Sequence, residues 1–428
     1  MASPACAGVS WRHERGIETV QPSKPSGGQP TWLVALVTMV AVQTATAFLS
    51  RIPPTLAPAL TAERGWSDAV VGYLASLNTL GSILFLALGS PFLRRLGSIR
   101  ALQVGLAVGI LGLSLFLPPF WPAAALASLL IGVGYGPSSP AGNDILHRTA
   151  PASRRAMIFS IKQAGVPVGG IVAGLFLPPI VEAFGWRASL LAAAIFVLVV
   201  ILAVQPIREG LDADRKYDEP LTMRALLSPA NMSSSLAALL TSTSVFRLAA
   251  AGACLAVGQG IWFAYLITFA VSALKYDLSA AGVAFAIMQA MSVIGRILLG
   301  WVADKFVAPR RLLGLLGLAS GLTSAAMAWV GSDWSYLQFC GLAAIAGVTV
   351  SSWNGVQLSE IAKASPSHLV RETSSGATLI IFIGYVISPA AFALLLGATG
   401  RFDIGFMICA LFGALSFAIT QRSWSGRA

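Results

Sequence analysis

Long apolar stretches separated by short polar intervals dominate this chain. Twelve runs are long enough to cross a hydrocarbon layer, which takes about 20 apolar residues in a helix. They cover 31–60, 70–89, 101–120, 122–146, 156–182, 187–206, 246–274, 280–302, 311–331, 335–361, 371–398 and 402–421. Several exceed the length a span requires, so tilted or bent helices are expected. The polar interval 207–245, which contains "REGLDADRKYDEP", divides the runs six and six. The pattern predicts an all-α membrane protein with two six-helix bundles, 31–206 and 246–421, joined by a cytoplasmic loop. Residues 1–30 are polar and carry Pro, Gly and Ser without an apolar core. They read as a disordered cytoplasmic tail rather than an export signal, and 422–428 as a second, short tail.

Composition sharpens this picture. Hydrophobic residues make up 56% of the chain and charged residues only 11%, against about 25% charged in a soluble domain. Cys6, Cys254, Cys340 and Cys409 have no metal-ligand spacing, so neither a zinc site nor a disulfide framework is expected. A net charge of +11 raises the question of nucleic acid. Position answers it, because the basic residues sit in short segments between apolar runs, as membrane topology requires.

Those segments alternate. Arg94, Arg95 and Arg100, then Arg148, Arg154 and Arg155, then Lys305, Arg310 and Arg311 occupy one set of intervals, together with basic residues of the tails and central loop. The other set holds Arg64, Arg187, Lys275 and Arg401. The asymmetry predicts cytoplasmic N- and C-termini in a multi-pass inner-membrane protein. The halves also repeat: Gly89 and Gly300 are 211 residues apart, as are Arg94 and Lys305, and Asn78 and Gln289. "SSPAGNDILHRTAP" (138–151) is echoed by "SSWNGVQLSEIAKASP" (351–366). Parallel halves of this kind place a binding site between them near mid-membrane.

With these features the sequence resembles the major facilitator superfamily over essentially the whole chain after the tail. "GWVADKF" (300–306) matches the family's loop motif with Gly300, Asp304 and Lys305; "GSPFLRRLGSIR" (89–100) keeps Gly89, Arg94, Gly97 and Arg100 but has Leu93 in place of the Asp. The resemblance implies twelve helices and alternating access. It also implies a latch at the cytoplasmic ends, made by Gly300, Asp304, Lys305 and Arg94, with only the C-terminal half carrying the carboxylate. "QAGVPVGG" (163–170) is similar to the fifth-helix motif of the superfamily's antiporters, with Pro167 two residues before Gly169 rather than three. Small residues allow close helix approach and proline permits bending.

Three cations lie within apolar runs, where each costs about 2.5–3.5 kcal/mol at a span's centre. Lys162 has two readings: it snorkels to the cytoplasmic surface, or it faces a central cavity, the preferred reading. Arg51 shares a face with Gln43 and Ala47 and is expected in the cavity, the alternative being an extracellular anchor if Pro53 and Pro54 end the span. Arg296, one turn before Gly300, is assigned to the latch as a structural pair with the loop, the alternative being a substrate contact. The 17 carboxylates avoid the middle third of every run; Asp144 and Glu360 come nearest and read as salt-bridge partners. His13, His147 and His368 lie outside the centre. Neutral candidates are Gln163, Asn78, Gln259, Gln289, Trp353, Asn354 and Tyr385, with Trp353 and Tyr385 equally readable as core.

Inner cations without inner carboxylates favour an anionic cargo. The expected function is secondary active transport of a small organic anion by rocker-switch alternating access. The alternatives are an efflux pump for hydrophobic drugs and a non-transporting receptor. No nucleophile, metal cluster or nucleotide motif supports an enzyme, and no cofactor or metal is expected. The expected partners are a small anion and the lipid bilayer, with a monomeric chain and no nucleic acid.

Overall fold

A computed structural model describes residues 31–212, Arg215, Leu240, 242–365 and 370–421. The expected tails (1–30 and 422–428) and most of the central loop lie outside the described residues. Within them the chain is helical, without strands. The helices are α1 (Trp32–Arg64), α2 (Val70–Leu88), α3 (Ser90–Leu96), α4 (Ser98–Ser114), α5 (Trp121–Tyr135), α6 (Ser138–Thr149), α7 (Arg155–Phe184), α8 (Trp186–Val204) and α9 (Arg208–Leu211). They continue with α10 (Thr243–Ser272), α11 (Leu278–Lys305), α12 (Pro309–Ala328), α13 (Tyr336–Thr349), α14 (Asn354–Ala364), α15 (Val370–Thr399) and α16 (Phe402–Gln421).

Ten helical stretches of the described residues are long and apolar enough to cross a membrane; α4, at 17 residues, and the α5–α6 pair complete twelve. Their outer faces are unusually apolar. On α8, Leu191, Ile195, Val199 and Leu202 are all exposed, which a bilayer tolerates and water does not.

Polar caps mark several starts. Thr31, Ser242 and Asp277 accept from Val34, Val245 and Ala280, and Ser335 forms a capping box with Gln338. Pro53 and Pro54 do not end the first span, because α1 continues through both to Arg64. In a close-packed bundle, neighbouring helices make up for the amide that each proline lacks.

The sequence pattern carries 122–146 and 335–361 as single runs, whereas each is interrupted in the structure. Gly136 and Pro137 separate α5 from α6, and 350–353 separate α13 from α14. The breaks fall at equivalent places in the two repeats.

One buried core draws on α1, α4–α9 and their neighbours, with Phe48, Ile52, Leu106, Ile131 and Trp186. Two more draw on α10–α16, with Trp262, Tyr265, Phe285 and Phe406 in one and Leu248, Leu313 and Trp353 in the other. Across the two sets, α7 packs on α11, α2 on α15 and α1 on α10.

The glycines of α7 explain the first of those contacts and another within its own set. A Cβ at Gly169 would meet the Thr44 carbonyl of α1 at 2.5 Å, and one at Gly174 would meet the Gly282 carbonyl of α11 at 2.6 Å. The helix therefore touches one neighbour in its own set and one in the other.

At the arginine-poor end the sets are also joined by hydrogen bonds. The Tyr265 hydroxyl accepts from the Gly72 amide at 3.0 Å and donates to the Ala69 carbonyl at 3.3 Å. Glu182 accepts from the Ser279 amide at 2.8 Å and from its hydroxyl.

Candidate functional site

Arg51 rises from the middle of α1 with its guanidinium carbon 4.1 Å from the centre of the Phe263 ring on α10. Arg296 rises from α11 on the other side. The two arginines lie within electrostatic range of each other and of Tyr135 and Tyr385, and no carboxylate among the described residues does. All four side chains are half-buried. The Nε of each arginine is buried without a hydrogen-bond partner. Like charges brought together out of water repel, and an incoming anion would relieve that repulsion.

The break between α13 and α14 organises the polar groups around Arg296. An interrupted helix leaves carbonyls without their usual amide partners. The Ser351 carbonyl here collects the Arg296 guanidinium at 3.3 Å, the Ser292 hydroxyl at 3.2 Å and the Gln259 amide at 3.5 Å. Tyr385 donates to Gln259 Oε1 at 2.5 Å and accepts from the Asn354 side-chain amide at 3.5 Å. The Asn354 Oδ1 is left unsatisfied. Arg51, Gln259, Asn354 and Tyr385 of the sequence-based candidates are thus brought together. Phe263, Tyr135 and Ser351 join them without having been singled out.

Arg296 belongs with this group rather than with the loop. Its bond goes to Ser351. Asp304 is exposed and forms no ion pair among the described residues, and Lys305 lies 5.8 Å from the Trp301 ring. A Cβ at Gly300 would meet open space. Arg94 is exposed at the end of α3, and Leu93 packs against the first core. The carboxylate missing at position 93 has a counterpart arriving from after α9. Asp212 accepts from the Ile99 amide at 2.7 Å and the Arg100 amide at 3.0 Å, at the start of α4.

Other candidates lie apart. Trp353 is fully buried in the third core, with its indole nitrogen unpaired. Asn78 packs against Gly132, where a Cβ would lie 1.8 Å from its carbonyl. Gln289 presses on Gly170 across the α7–α11 seam, with both polar atoms unpartnered. Gln163 is half-buried on α7.

Lys162 neither snorkels nor opens onto the space beside the arginines. It is 1% exposed, its Nζ has no partner, and Gly142 of α6 packs against it. A signal for Tyr135 existed in its position immediately before the helix-breaking Gly136–Pro137 pair.

The profile of the Major Facilitator Superfamily matches residues 31–389. The gentisate transporter of Corynebacterium glutamicum is 27% identical over 375 residues, 81% of this chain and 80% of that protein. The hexuronate transporter of Bacillus subtilis is 29% identical over 153 residues, 35% of this chain and 34% of its own length. Among solved structures, a bacterial homolog of the human lysosomal transporter Spinster, inward-facing and occupied, superposes with a TM-score of 0.70 at 16% identity. That superposition covers 92% of this chain and 97% of the other. At that identity the likeness is one of fold.

Proposed function

Since the chain belongs to the Major Facilitator Superfamily, we propose that it is a secondary carrier of a small organic anion, binding its cargo between Arg51 and Arg296. One observation carries the reading: two guanidinium groups, one from each six-helix set, lie within electrostatic range of each other, with no carboxylate of the described residues in that range. An anion between them turns repulsion into attraction toward both sets. Because that gain needs both arginines close, it favours conformations in which the sets approach around the cargo. Tyr385, Gln259 and Asn354 supply hydrogen bonds. Phe263, and Phe382 at 6.0 Å from the Tyr385 ring, favour a flat, aromatic carboxylate. The gentisate transporter, matched over most of both chains, supports the same class.

The arginine-rich face is read as cytoplasmic, with both termini there, in a bacterial inner membrane and in a monomeric carrier. On this reading the arginine-poor end, closed by Tyr265 and Glu182, is the outer gate. Labelled gentisate uptake into proteoliposomes tests the proposal, with a hexuronate and inorganic phosphate as competitors. Saturable uptake competed best by aromatic carboxylates is expected. No uptake of any carboxylate, together with drug hypersensitivity of a deletion strain, would replace it with the efflux reading.

A further inference from the structure

Among the described residues, Lys162 is the one cation within an apolar span that the proposed anion site does not use. It lies on the second turn of α7, 1% exposed, with no hydrogen-bond partner for its Nζ. Its surroundings are made for its bulk and not for its charge. A Cβ on Gly142 would stand 2.7 Å from the Lys162 Cε and 3.2 Å from Nζ, so the absent side chain of Gly142 is the space the lysine fills. Met39 Sδ lines the same spot, 3.6 Å from that Cβ position.

The helices packed on α7 are α1, α6, α8 and α11. Their charged and titratable groups all point elsewhere. On α1 Arg51 stands three turns beyond Met39, over Phe263. On α6 Asp144 is bound to Arg148 at 3.1 Å and to Ser98 at 3.0 Å, and His147 is exposed. Arg187 of α8 pairs with Glu63 at the far end. Arg296, Asp304 and Lys305 of α11, and Arg155 and Glu182 of α7 itself, are likewise out of electrostatic range.

An ammonium in such a place has lost its hydration with nothing in exchange. Arginine would have to remain charged there, but lysine has a second option: it releases its proton. The spans offer no central carboxylate to carry a coupling proton. One turn along the same α1–α7 seam, where Gly165 packs on Gln43, the Gln43 Oε1 is buried without a donor. It is an acceptor for an ammonium that leaves the Gly142 pocket. Gln43 also approaches Tyr135 in the anion site.

We propose that Lys162 is the coupling proton's binding site. It is a neutral amine in the packed conformation seen here and an ammonium when α6 moves off α7 and admits water. The proton passes between Nζ and that water, and no other bond changes. The proposal rests on the anion-carrier reading for its role in transport but not for the protonation itself.

Two measurements separate the two. In the first, purified full-length protein labelled with 13Cε-lysine is titrated by NMR; the other lysines are Lys24, Lys216, Lys275, Lys305 and Lys363. Ordinary lysines stay ammonium at pH 9, their titration lying near about 10.4. One neutral-amine signal at pH 9, absent from Lys162→Gln, is expected; ammonium signals only would overturn the proposal.

In the second, gentisate counterflow and proton-gradient-driven gentisate uptake are compared in proteoliposomes. Wild type should show stimulation of about tenfold by the gradient. Lys162→Gln and Lys162→Arg should lose it while keeping counterflow within about twofold. Gradient stimulation that survives in Lys162→Gln overturns the proposal. Absent counterflow in wild type is a failure of the anion reading instead, and the NMR titration then decides Lys162 alone.

Discussion

The guanidinium carbon of Arg51 stands 4.1 Å from the centre of the Phe263 ring, so a cation carried by α1 rests on an aromatic face carried by α10. The contact spans the two six-helix sets and fixes the guanidinium at the proposed anion site. Such cation–π pairs are worth about 0.5–2 kcal/mol. Phe263→Leu should therefore weaken gentisate binding by about two- to thirtyfold. Arg51→Gln removes a charge-assisted bond worth about 1.5–3 kcal/mol and should cost at least about tenfold. Equilibrium binding of labelled gentisate to purified protein checks both; equal affinities in all three proteins would remove Arg51 from the site.

Arg296 makes a sharper test, because two roles predict opposite effects on stability. In the anion site, an arginine facing another arginine strains the empty protein. Arg296→Gln should then raise the ligand-free melting temperature by roughly a few degrees while lowering gentisate affinity about tenfold or more. A purely structural arginine anchored on Ser351 would instead lower the melting temperature and leave affinity unchanged. Thermal unfolding with and without gentisate distinguishes the two.

The twelve spans were legible because a bilayer imposes length and apolarity on every crossing, and the arginine asymmetry is equally local. The interruptions at 136–137 and 350–353 were not read, since the apolar runs continue across them. Lys162 shows a deeper limit. Its helix is apolar or small on every side, so periodicity gives no facing direction, and only the Gly142 contact fixes its surroundings. Arg296 was read with its sequence neighbours, Gly300 and Asp304, whereas its electrostatic neighbours come from α1, α5 and α15. Asn78 and Gln289 occupy matched positions yet meet different partners, because Gly132 lies within one set and Gly170 lies across the seam. Repeats carry over backbone position better than function.

The arginine-poor seal depends on absent side chains. A Cβ at Gly174 would meet the Gly282 carbonyl at 2.6 Å, a backbone atom with no rotamer to adjust. Gly174→Val should therefore hold this end open and shift the population toward the opposite conformation by roughly tenfold or more. Glu182→Gln, which weakens acceptance from Ser279, should shift it in the same direction by only a few-fold, the scale of about 1 kcal/mol for one hydrogen bond. Distances between spin labels placed on either side of the seam report both, and an unchanged distribution in Gly174→Val would contradict the role given to this glycine.

Asp212 carries a pH signature. Burial raises its carboxyl above the ordinary carboxylate range, with the Ile99 and Arg100 amides, Arg208 and Arg215 pulling the other way. For a carboxyl raised in this way, the stabilising contribution is complete below the unfolded value near about 3.9. It is lost as pH rises through the folded-state value. Asp212→Asn should cost about 1–2 kcal/mol by leaving a helix-start amide without its acceptor. The wild type's margin over this variant should be widest at the acidic end and level off once Asp212 is ionised. Melting temperatures of both proteins between pH 4 and 8, on the order of that window, would show it; a margin that grows with pH would contradict the assignment.

The interruption at Gly136 and Pro137 gives α6 a mechanical character of its own. With 12 residues at 1.5 Å each, it is a lever about 18 Å long, pivoted near mid-membrane. A swing of about 10° would carry its free end by roughly 3 Å, close to the width of one water molecule. Gly142, the fifth residue of that lever, packs directly against Lys162, and at about 7 Å from the pivot the same swing moves it by only about 1 Å. Opening a water's width beside Lys162 therefore takes a swing of roughly 25°, which carries the free end by about 8 Å, so hydration of this lysine would report a long stroke of the lever.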